Sequence, residues 1–126
     1  MGRTDVIDAV ALARDMTPHQ MIEQLESDLG VGAADLAHAM GASLRTIERW
    51  RNGVAYPQTE ARQRLATLFL LRNHLLDTFA GRDAVHQWLR AENRYLGGLA
   101  PIDALRAGRA DRVEAALEAL DSGVFV

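Results

Sequence analysis

The sequence predicts an all-α protein: an N-terminal helix-turn-helix bundle joined by a long helix to a small helical C-terminal domain. Apolar residues recur at three- and four-residue intervals along most of the 126-residue chain, as amphipathic helices require. The alternation of apolar and polar residues that marks half-buried strands is almost absent, apart from the last few residues. Apolar residues make up 48% of the chain, which is enough to form a core. The predicted parts are an arm or short helix at 1–16, the helix-turn-helix domain at 17–80 and the C-terminal domain at 81–126.

Start and stop signals divide these parts into helices. Thr17 and Pro18 suit the cap and first turn of a helix that Gly30 ends. Thr59 follows a Tyr-Pro turn and is expected to cap a long helix that reaches about residue 79 and is apolar on more than one side. Such a helix is either the centre of one core or a contact between two bodies, such as two protomers. The other predicted helices cover 33–40, 44–52, 83–91, 101–107 and 110–120.

Several function classes are excluded by what the sequence lacks. It contains no cysteine, which rules out disulfides and thiolate metal sites, and its four histidines are not spaced as metal ligands. It has no nucleophile elbow, phosphate-binding loop or dinucleotide fingerprint. The N-terminus does not resemble a secretory signal, and no apolar run approaches the roughly 18 residues of a membrane span. We therefore expect a cytoplasmic protein that is not an enzyme and has no cofactor, metal or membrane contact.

The charge is distributed unevenly, so that one basic segment lies within an acidic chain. The formal net charge is −3, and residues 1–40 contain two Arg against seven acidic residues. Residues 41–64 instead contain five Arg against two Glu. Because the local field rather than the total charge governs contact with a polyanion, this basic strip can face DNA while other surfaces meet a different partner.

Residues 33–52, AADLAHAMGASLRTIERWRN, have the spacing of a helix-turn-helix. Two helices that meet across a three-residue turn need a small residue at their crossing, which Ala37 supplies. The turn needs a residue that accepts left-handed φ, which Gly41 supplies. Ile47 and Trp50 lie three apart and can close a small core with the first helix. An ordinary helical hairpin with a solvated Arg face is the alternative interpretation of this pattern.

The second helix of this pair presents polar residues outward once its apolar residues turn inward. Ser43 can cap the helix and leave backbone N–H groups open to a phosphate, and Arg can pair with guanine in the major groove. The stretch resembles the Cro/Xre-type repressors, and the Arg-Asn-Gly-Val after the helix strengthens the resemblance. Their recognition helices often open with Gln, so the operator sequence does not carry over. The candidate base contacts are Ser43, Arg45, Thr46 and Arg49, and the candidate phosphate contacts are Arg51, Arg62 and Arg64.

Residues 84–126 contain an ordered series of features that is more specific than any single motif. The segment includes AVHQWLRAENRYLGGLAPIDALRAG and ends in GVFV. It resembles the toxin-binding domain of the Xre/MbcA/ParS antitoxins, and its ending is especially similar to the MbcA branch. Helical spacing places Trp88 in the core. The matching positions are Trp88, Leu89, Asn93, Leu96, Gly97, Gly98, Pro101, Asp103, Leu105, Gly108, Val113, Leu117 and Gly123.

The resemblance implies that this domain binds a RES-domain toxin that consumes NAD, and that the C-terminal tail plugs the entrance to the toxin's active site. Asn93 can equally cap a helix end, whereas Arg94 and Tyr95 suit surface contacts. The tail is an apolar string that ends in a carboxylate, and it either packs back on its own domain or fits a partner's pocket. The candidate toxin contacts are Asn93, Arg94, Tyr95, Gly123, Val124, Phe125 and Val126.

The leading hypothesis is a homodimeric antitoxin of a type II toxin–antitoxin system that neutralises a RES-domain toxin and represses its own operon by binding operator DNA. Dimerisation is expected because two recognition helices one DNA turn apart bind more tightly than one. The long helix and the C-terminal block are candidate dimer surfaces. One alternative is a helix-turn-helix transcriptional repressor whose C-terminal domain dimerises or senses a ligand. The other is an interaction module that no longer binds DNA.

Overall fold

A computed structural model of the protein describes residues 16–123, which form seven α-helices and one short 3₁₀ turn. No strand occurs within this range, and the predicted all-α fold is confirmed. The predicted arm at 1–16, except for its last residue, and the tail residues 124–126 lie outside the described residues. The helices are α1 (Pro18–Leu29), α2 (Ala33–Met40), α3 (Leu44–Arg51), α4 (Thr59–Thr78), α5 (Arg82–Arg90), α6 (Pro101–Arg106) and α7 (Ala110–Ser122), and the 3₁₀ turn is Arg94–Leu96.

Helix α1 begins and ends where the sequence signals place it. The Thr17 hydroxyl accepts a hydrogen bond from the Gln20 N–H at 3.1 Å, and the Gln20 side chain accepts one from the Thr17 N–H at 3.0 Å. This reciprocal capping satisfies two backbone donors that a helix start leaves unpaired. Gly30 ends the helix with a left-handed φ of 65°. Residues Met21, Ile22, Leu25 and Leu29 then form the buried stripe of α1.

The start of α4 differs by one residue from the sequence prediction. Thr59 was expected to be the cap, but Gln58 occupies that position with extended backbone, and Thr59 is the first helical residue. The reason is that the Gln58 carbonyl already accepts the N–H of Arg62 at 2.8 Å, so the helical ladder begins one residue earlier. The Gln58 side chain makes no capping hydrogen bond, and the helix start therefore depends on packing.

Helix α4 lies at the centre of one hydrophobic core that draws on both predicted domains. It packs against α1 and α2 from the first part of the chain and against α5 and α7 from the second. This explains why α4 is apolar on more than one side. Trp88, expected in the core, is only partly buried, and its ring lies tilted against Phe79 with centroids 5.6 Å apart. The fully buried side chains of the core include Ile22, Leu25, Leu36, Ile47, Leu65, Phe69, Leu75, Val85, Leu89, Leu105 and Leu117.

A buried carboxylate joins α1, α4 and α5. Asp28 is the one buried charged residue among residues 16–123, and its side chain is 6% exposed. It accepts a hydrogen bond from Nε of Arg72 at 2.6 Å and another from Nε of Arg82 at 2.8 Å. The Arg72 guanidinium also donates to the Asn73 side chain and lies 4.9 Å from the centre of the Phe69 ring. Charge-assisted hydrogen bonds of this kind are strong, but the loss of one partner leaves the other as an uncompensated buried charge, which destabilises the fold.

Further polar contacts run from the second half of the chain to the first. On α5, His86 lies 3.2 Å from the Ser27 carbonyl, and Arg90 donates to the Gly30 carbonyl. Both acceptors are at the end of α1, where helical carbonyls lack intrahelical partners. On α6, Nε of Arg106 donates to Asp35 of α2 at 2.7 Å. Helices α1 and α2 are therefore held from the C-terminal side by both packing and hydrogen bonds.

Replacing Asp28 with Ala should lower the free energy of unfolding by about 3–5 kcal/mol, because the partly buried Arg72 is left without its counter-ion. Urea unfolding followed by circular dichroism measures this change. The matched control is Arg82→Ala: the Arg82 side chain is 61% exposed, so its loss should cost no more than about 1 kcal/mol. Equal losses in the two variants would contradict a special role for the buried carboxylate.

Candidate functional site

Helices α2 and α3, joined by a short turn at residues 41–43, lie where the sequence predicts a helix-turn-helix at residues 33–52. Gly41 ends α2 with a φ of 65°, and its N–H points back to the carbonyls of Ala37 and His38. Ser43 caps α3: its hydroxyl accepts the N–H of Thr46 at 3.0 Å and lies 2.8 Å from the Thr46 hydroxyl. Ala37 is buried at the helix crossing, and Ile47 and Trp50 are buried under α3.

The outward face of α3 carries two arginines that nothing in the described structure engages. Arg45 and Arg49 are exposed, and neither forms a hydrogen bond or ion pair with any of residues 16–123. Glu48 and Leu44 share the exposed surface, and Leu44 is 45% exposed. Two unpaired guanidinium groups on one short helix are what contact with guanine edges or phosphates requires.

Two other arginines of the basic strip have internal partners. Arg51 pairs with Glu26 of α1, which ties the end of α3 to α1. Arg64 donates to the Met40 carbonyl at 2.8 Å and pairs with Glu60 at 2.9 Å, so it satisfies an acceptor at the end of α2. Both residues therefore stabilise the helix-turn-helix, and their predicted phosphate contacts stay predictions.

Arg62 lies beside a groove next to the helix-turn-helix. The groove encloses about 630 Å³ between the first turns of α1 and α4. Tyr56, at the edge of the groove, is 68% exposed, and the nearby Val54 is 66% exposed. Arg62 is exposed and unpaired within residues 16–123, so it remains available for phosphate contact. The groove is lined by Met16, Pro18, Met21, Tyr56, Pro57, Thr59, Arg62, Gln63, Leu65 and Ala66.

In the C-terminal half, the structure places Asn93 as a cap. Its side-chain oxygen accepts the N–H of Leu96 at 3.3 Å, and its backbone pairs with Gly98 and Leu99. Asn93 thereby closes the 3₁₀ turn and holds Arg94 and Tyr95 on an exposed surface. Leu99 is 59% exposed on the same loop. This turn presents an aromatic, an aliphatic and a cationic side chain together.

The tail departs from the end of α7, which is fixed to α4 by a polar cluster. Gly123 is exposed and ends α7 with a φ of 76°. His74 of α4 lies between two carboxylates of α7: its Nδ1 contacts Glu114, and its Nε2 lies 2.6 Å from Asp121. The Thr78 hydroxyl donates to the other oxygen of Asp121 at 3.3 Å. Val124, Phe125 and Val126 fall outside the described residues.

The His74 cluster favours the charged imidazole. Partial burial lowers the pKa of His74, but hydrogen bonds to Asp121 and Glu114, together with the attraction of both carboxylates, outweigh it and raise the pKa above its ordinary value of 6.5. Sequence reasoning grouped His74 with three other scattered histidines and missed this cluster. The signal it could have used is the seven-residue spacing of Glu114 and Asp121, which places both acids on one face of a helix.

Two further classes of site do not occur within the described residues. Residues 16–123 contain no cluster of His, Cys, Asp and Glu arranged to hold a metal ion. No helix in that range has the length and apolar character needed to cross a membrane. The surfaces that stand out are thus the outward face of α3, the turn at residues 93–99 and the end of α7.

Comparison with known proteins places these surfaces in context. The profile of the family described as "Antitoxin Xre/MbcA/ParS C-terminal toxin-binding domain" matches residues 74–123. A Mycobacterium tuberculosis protein named as a probable mycobacterial cidal antitoxin is 36% identical over 118 residues, which cover 94% of this chain and 99% of that protein. The mycobacterial cidal antitoxin MbcA of Mycobacterium bovis is 34% identical over 98 residues, or 78% of this chain and 86% of that one.

A solved structure agrees with these relatives. A chain in the crystal structure of the M. tuberculosis MbcT–MbcA toxin–antitoxin complex matches with a TM-score of 0.63 and 30% identity. The match covers 86% of this chain and 96% of the other. The similarity therefore extends over both the helix-turn-helix and the C-terminal helices. This chain belongs to the MbcA-type antitoxins of the Xre/MbcA/ParS family.

Proposed function

We propose that this antitoxin binds and neutralises a RES-domain toxin that consumes NAD, and that it represses its own operon through α2 and α3. The observation that carries the proposal is the similarity to a chain of a toxin–antitoxin complex over 86% of the sequence. Toxin binding is assigned to the C-terminal helices, since the matching family profile is that of a toxin-binding domain.

The first part of the toxin contact is the exposed turn between α5 and α6. Tyr95 is 40% exposed and Leu99 is 59% exposed, and Arg94 lies beside them. Aromatic and Arg side chains are the types that contribute most to protein interfaces, because they bury much area and lose little conformational entropy. Asn93 keeps the turn in one conformation through its cap, which lowers the entropy lost on binding.

The second part is the tail. Val124, Phe125 and Val126 follow the helix-ending Gly123 and end in a carboxylate. An aromatic ring and a terminal carboxylate resemble the base and a charged group of a dinucleotide in size and polarity. We infer that the tail enters the toxin's active site where NAD would bind, so that inhibition is competitive.

The DNA contact is assigned to α3. Arg45 and Arg49 on its outward face have no partner among residues 16–123, and the same holds for Arg62. Helix α3 packs mainly on α1 and α2, which leaves its other side open for the major groove. A homodimer would set two such helices about 34 Å apart, the spacing of successive major grooves on one face of DNA.

Removing residues 123–126 should release the toxin's NAD-consuming activity. With a RES-domain toxin encoded in the same operon, we expect the inhibition constant of the truncated chain to rise at least about tenfold, since the tail's buried apolar contacts are lost. The measurement is NAD consumption against antitoxin concentration. Binding of the truncated chain to its operator serves as the folding control. Inhibition equal to that of the full chain would refute entry of the tail into the active site.

Replacing Arg49 with Ala should weaken binding to DNA from upstream of the gene by about 5- to 150-fold, equivalent to about 1–3 kcal/mol, if Arg49 reads a base. Gel-shift titration at several salt concentrations measures the affinity and the salt dependence. Arg112→Ala, which removes an exposed arginine from α7, is the matched control and should leave the affinity unchanged.

Two results would contradict the DNA assignment. If Arg49→Ala binds specific and unrelated DNA as the unaltered chain does, Arg49 is not a base contact. If the unaltered chain shows no preference for its upstream DNA at low salt, the protein is an interaction module without repressor function.

A further inference from the structure

The contact between α4 and α7 carries an unusual arrangement of one imidazole between two carboxylates. His74 is 23% exposed, its Nε2 lies 2.6 Å from Asp121, and its Nδ1 contacts Glu114. Asp121 also accepts a hydrogen bond from Thr78. Asp121 lies in the last turn of α7, two residues before the glycine that ends the helix. The cluster therefore fixes the point from which the tail departs.

Both contacts require the doubly protonated ring. An ionised carboxylate can only accept hydrogen bonds, and a neutral imidazole has a single N–H. In a neutral His74, the lone pair of the unprotonated nitrogen would therefore face a lone pair of a carboxylate oxygen, and that contact would be repulsive. In the imidazolium, each nitrogen donates to one carboxylate, and both contacts are attractive.

Other ionisable groups lie close to the cluster in sequence on the same two helices. On α7, Glu118 lies one turn beyond Glu114, and on α4, Asp77 follows His74 by three residues. Arg72, two residues earlier on α4, is committed to Asp28. The carboxylates that favour the charged form of His74 and raise its pKa are those of Glu114 and Asp121.

We propose that His74 positions the end of α7 for toxin binding: as an imidazolium it holds the last turn of α7 against α4, and its deprotonation releases that turn. This inference rests on the proposed toxin-binding function and adds to it a regulation of the same surface by pH. His74 acts through α7 and is a positioning residue, since it does not itself contact the toxin.

The direction of the pH effect follows from the raised pKa of His74. Because the folded-state pKa lies above the ordinary value of 6.5, the contribution of the cluster is complete below that value. It is lost as the pH rises through the folded-state pKa. Toxin affinity should therefore be highest in mildly acidic to neutral solution and should fall toward alkaline pH.

The experiment uses the full chain and a RES-domain toxin from the same operon, between about pH 6 and about pH 9, the range in which a histidine with a raised pKa titrates. Two quantities are measured: the hydrogen-exchange protection of the amides of residues 119–123 in the free chain, and the Kd for the toxin. His74→Arg keeps the charge at every pH, and His74→Gln removes it. His38→Gln, which replaces an exposed histidine of α2, is the matched control.

The expected result is that the unaltered chain loses protection at residues 119–123 as the pH rises, whereas His74→Arg keeps it. The Kd of the unaltered chain, divided by that of His74→Arg to cancel the toxin's own titration, should rise about threefold to tenfold, as expected for loss of a charge-assisted contact at a partly exposed site. His74→Gln should be weaker than the unaltered chain at low pH, and His38→Gln should follow the unaltered chain.

Two outcomes would overturn the proposal, and they are distinguishable. If the toxin binds and the affinity ratio and protection stay flat with pH, His74 does not position the end of α7, and the proposed function survives. If no variant binds the toxin at any pH, the proposed function fails and the inference fails with it. Should His74→Arg prove unstable, Asp121→Asn replaces it: this variant should lower the pKa of His74, measured by NMR, and move the loss of protection to lower pH.

Discussion

The junction of α1, α4 and α5 is centred on a single buried carboxylate. Asp28, at the end of α1, accepts hydrogen bonds from Arg72 of α4 and Arg82 of α5. A carboxylate this buried is tolerated only because it is paired and hydrogen-bonded, and each partner comes from a different part of the sequence. The triad therefore fixes where the toxin-binding helices begin relative to the helix-turn-helix. Apolar packing alone is non-directional and would specify this junction less narrowly.

One consequence is that the two candidate functional surfaces belong to one folded unit. Helices α5 and α6 pack on α1 and α2, and α3 packs on the same two helices. Toxin and DNA would then bind to surfaces supported by the same pair of helices. The hydrogen bonds from Arg90 to the Gly30 carbonyl and from Arg106 to Asp35 strengthen that support. Any change in α1 or α2 that accompanies toxin binding would reach the base of α3 directly.

Much of the fold could be predicted from the sequence because its signals are local. Gly41 ends α2 and Ser43 caps α3 at the predicted positions, since turns and caps depend on neighbours a few residues apart. The pairs made by Asp28 and His74 join residues at least 40 positions apart, and no local pattern indicates which Arg or carboxylate will meet. The incomplete burial of Trp88 was also not predictable from local patterns. Helical spacing indicates which face of a helix turns inward, but not how completely other parts of the chain cover each residue on that face. The kind of partner was indicated by the resemblance of residues 84–126 to a toxin-binding domain. Local patterns of capping and helical spacing could not indicate it.

Internal ion pairs also decide which part of the basic strip can face DNA. The composition of residues 41–64 suggests five equivalent arginines. The structure divides them: Arg51 and Arg64 hold the helix-turn-helix together through Glu26, Glu60 and a backbone carbonyl. Within the described range 16–123, the arginines of this strip that have no partner are those at positions 45, 49 and 62, on α3 and the first turn of α4. An acidic chain thus obtains a small positive surface because its acidic residues neutralise the arginines needed for structure and leave the others exposed. Since phosphate attraction grows with the number of available cations, the proposed DNA contact would have modest affinity for nonspecific DNA, and operator recognition would then depend on base contacts and on pairing two protomers.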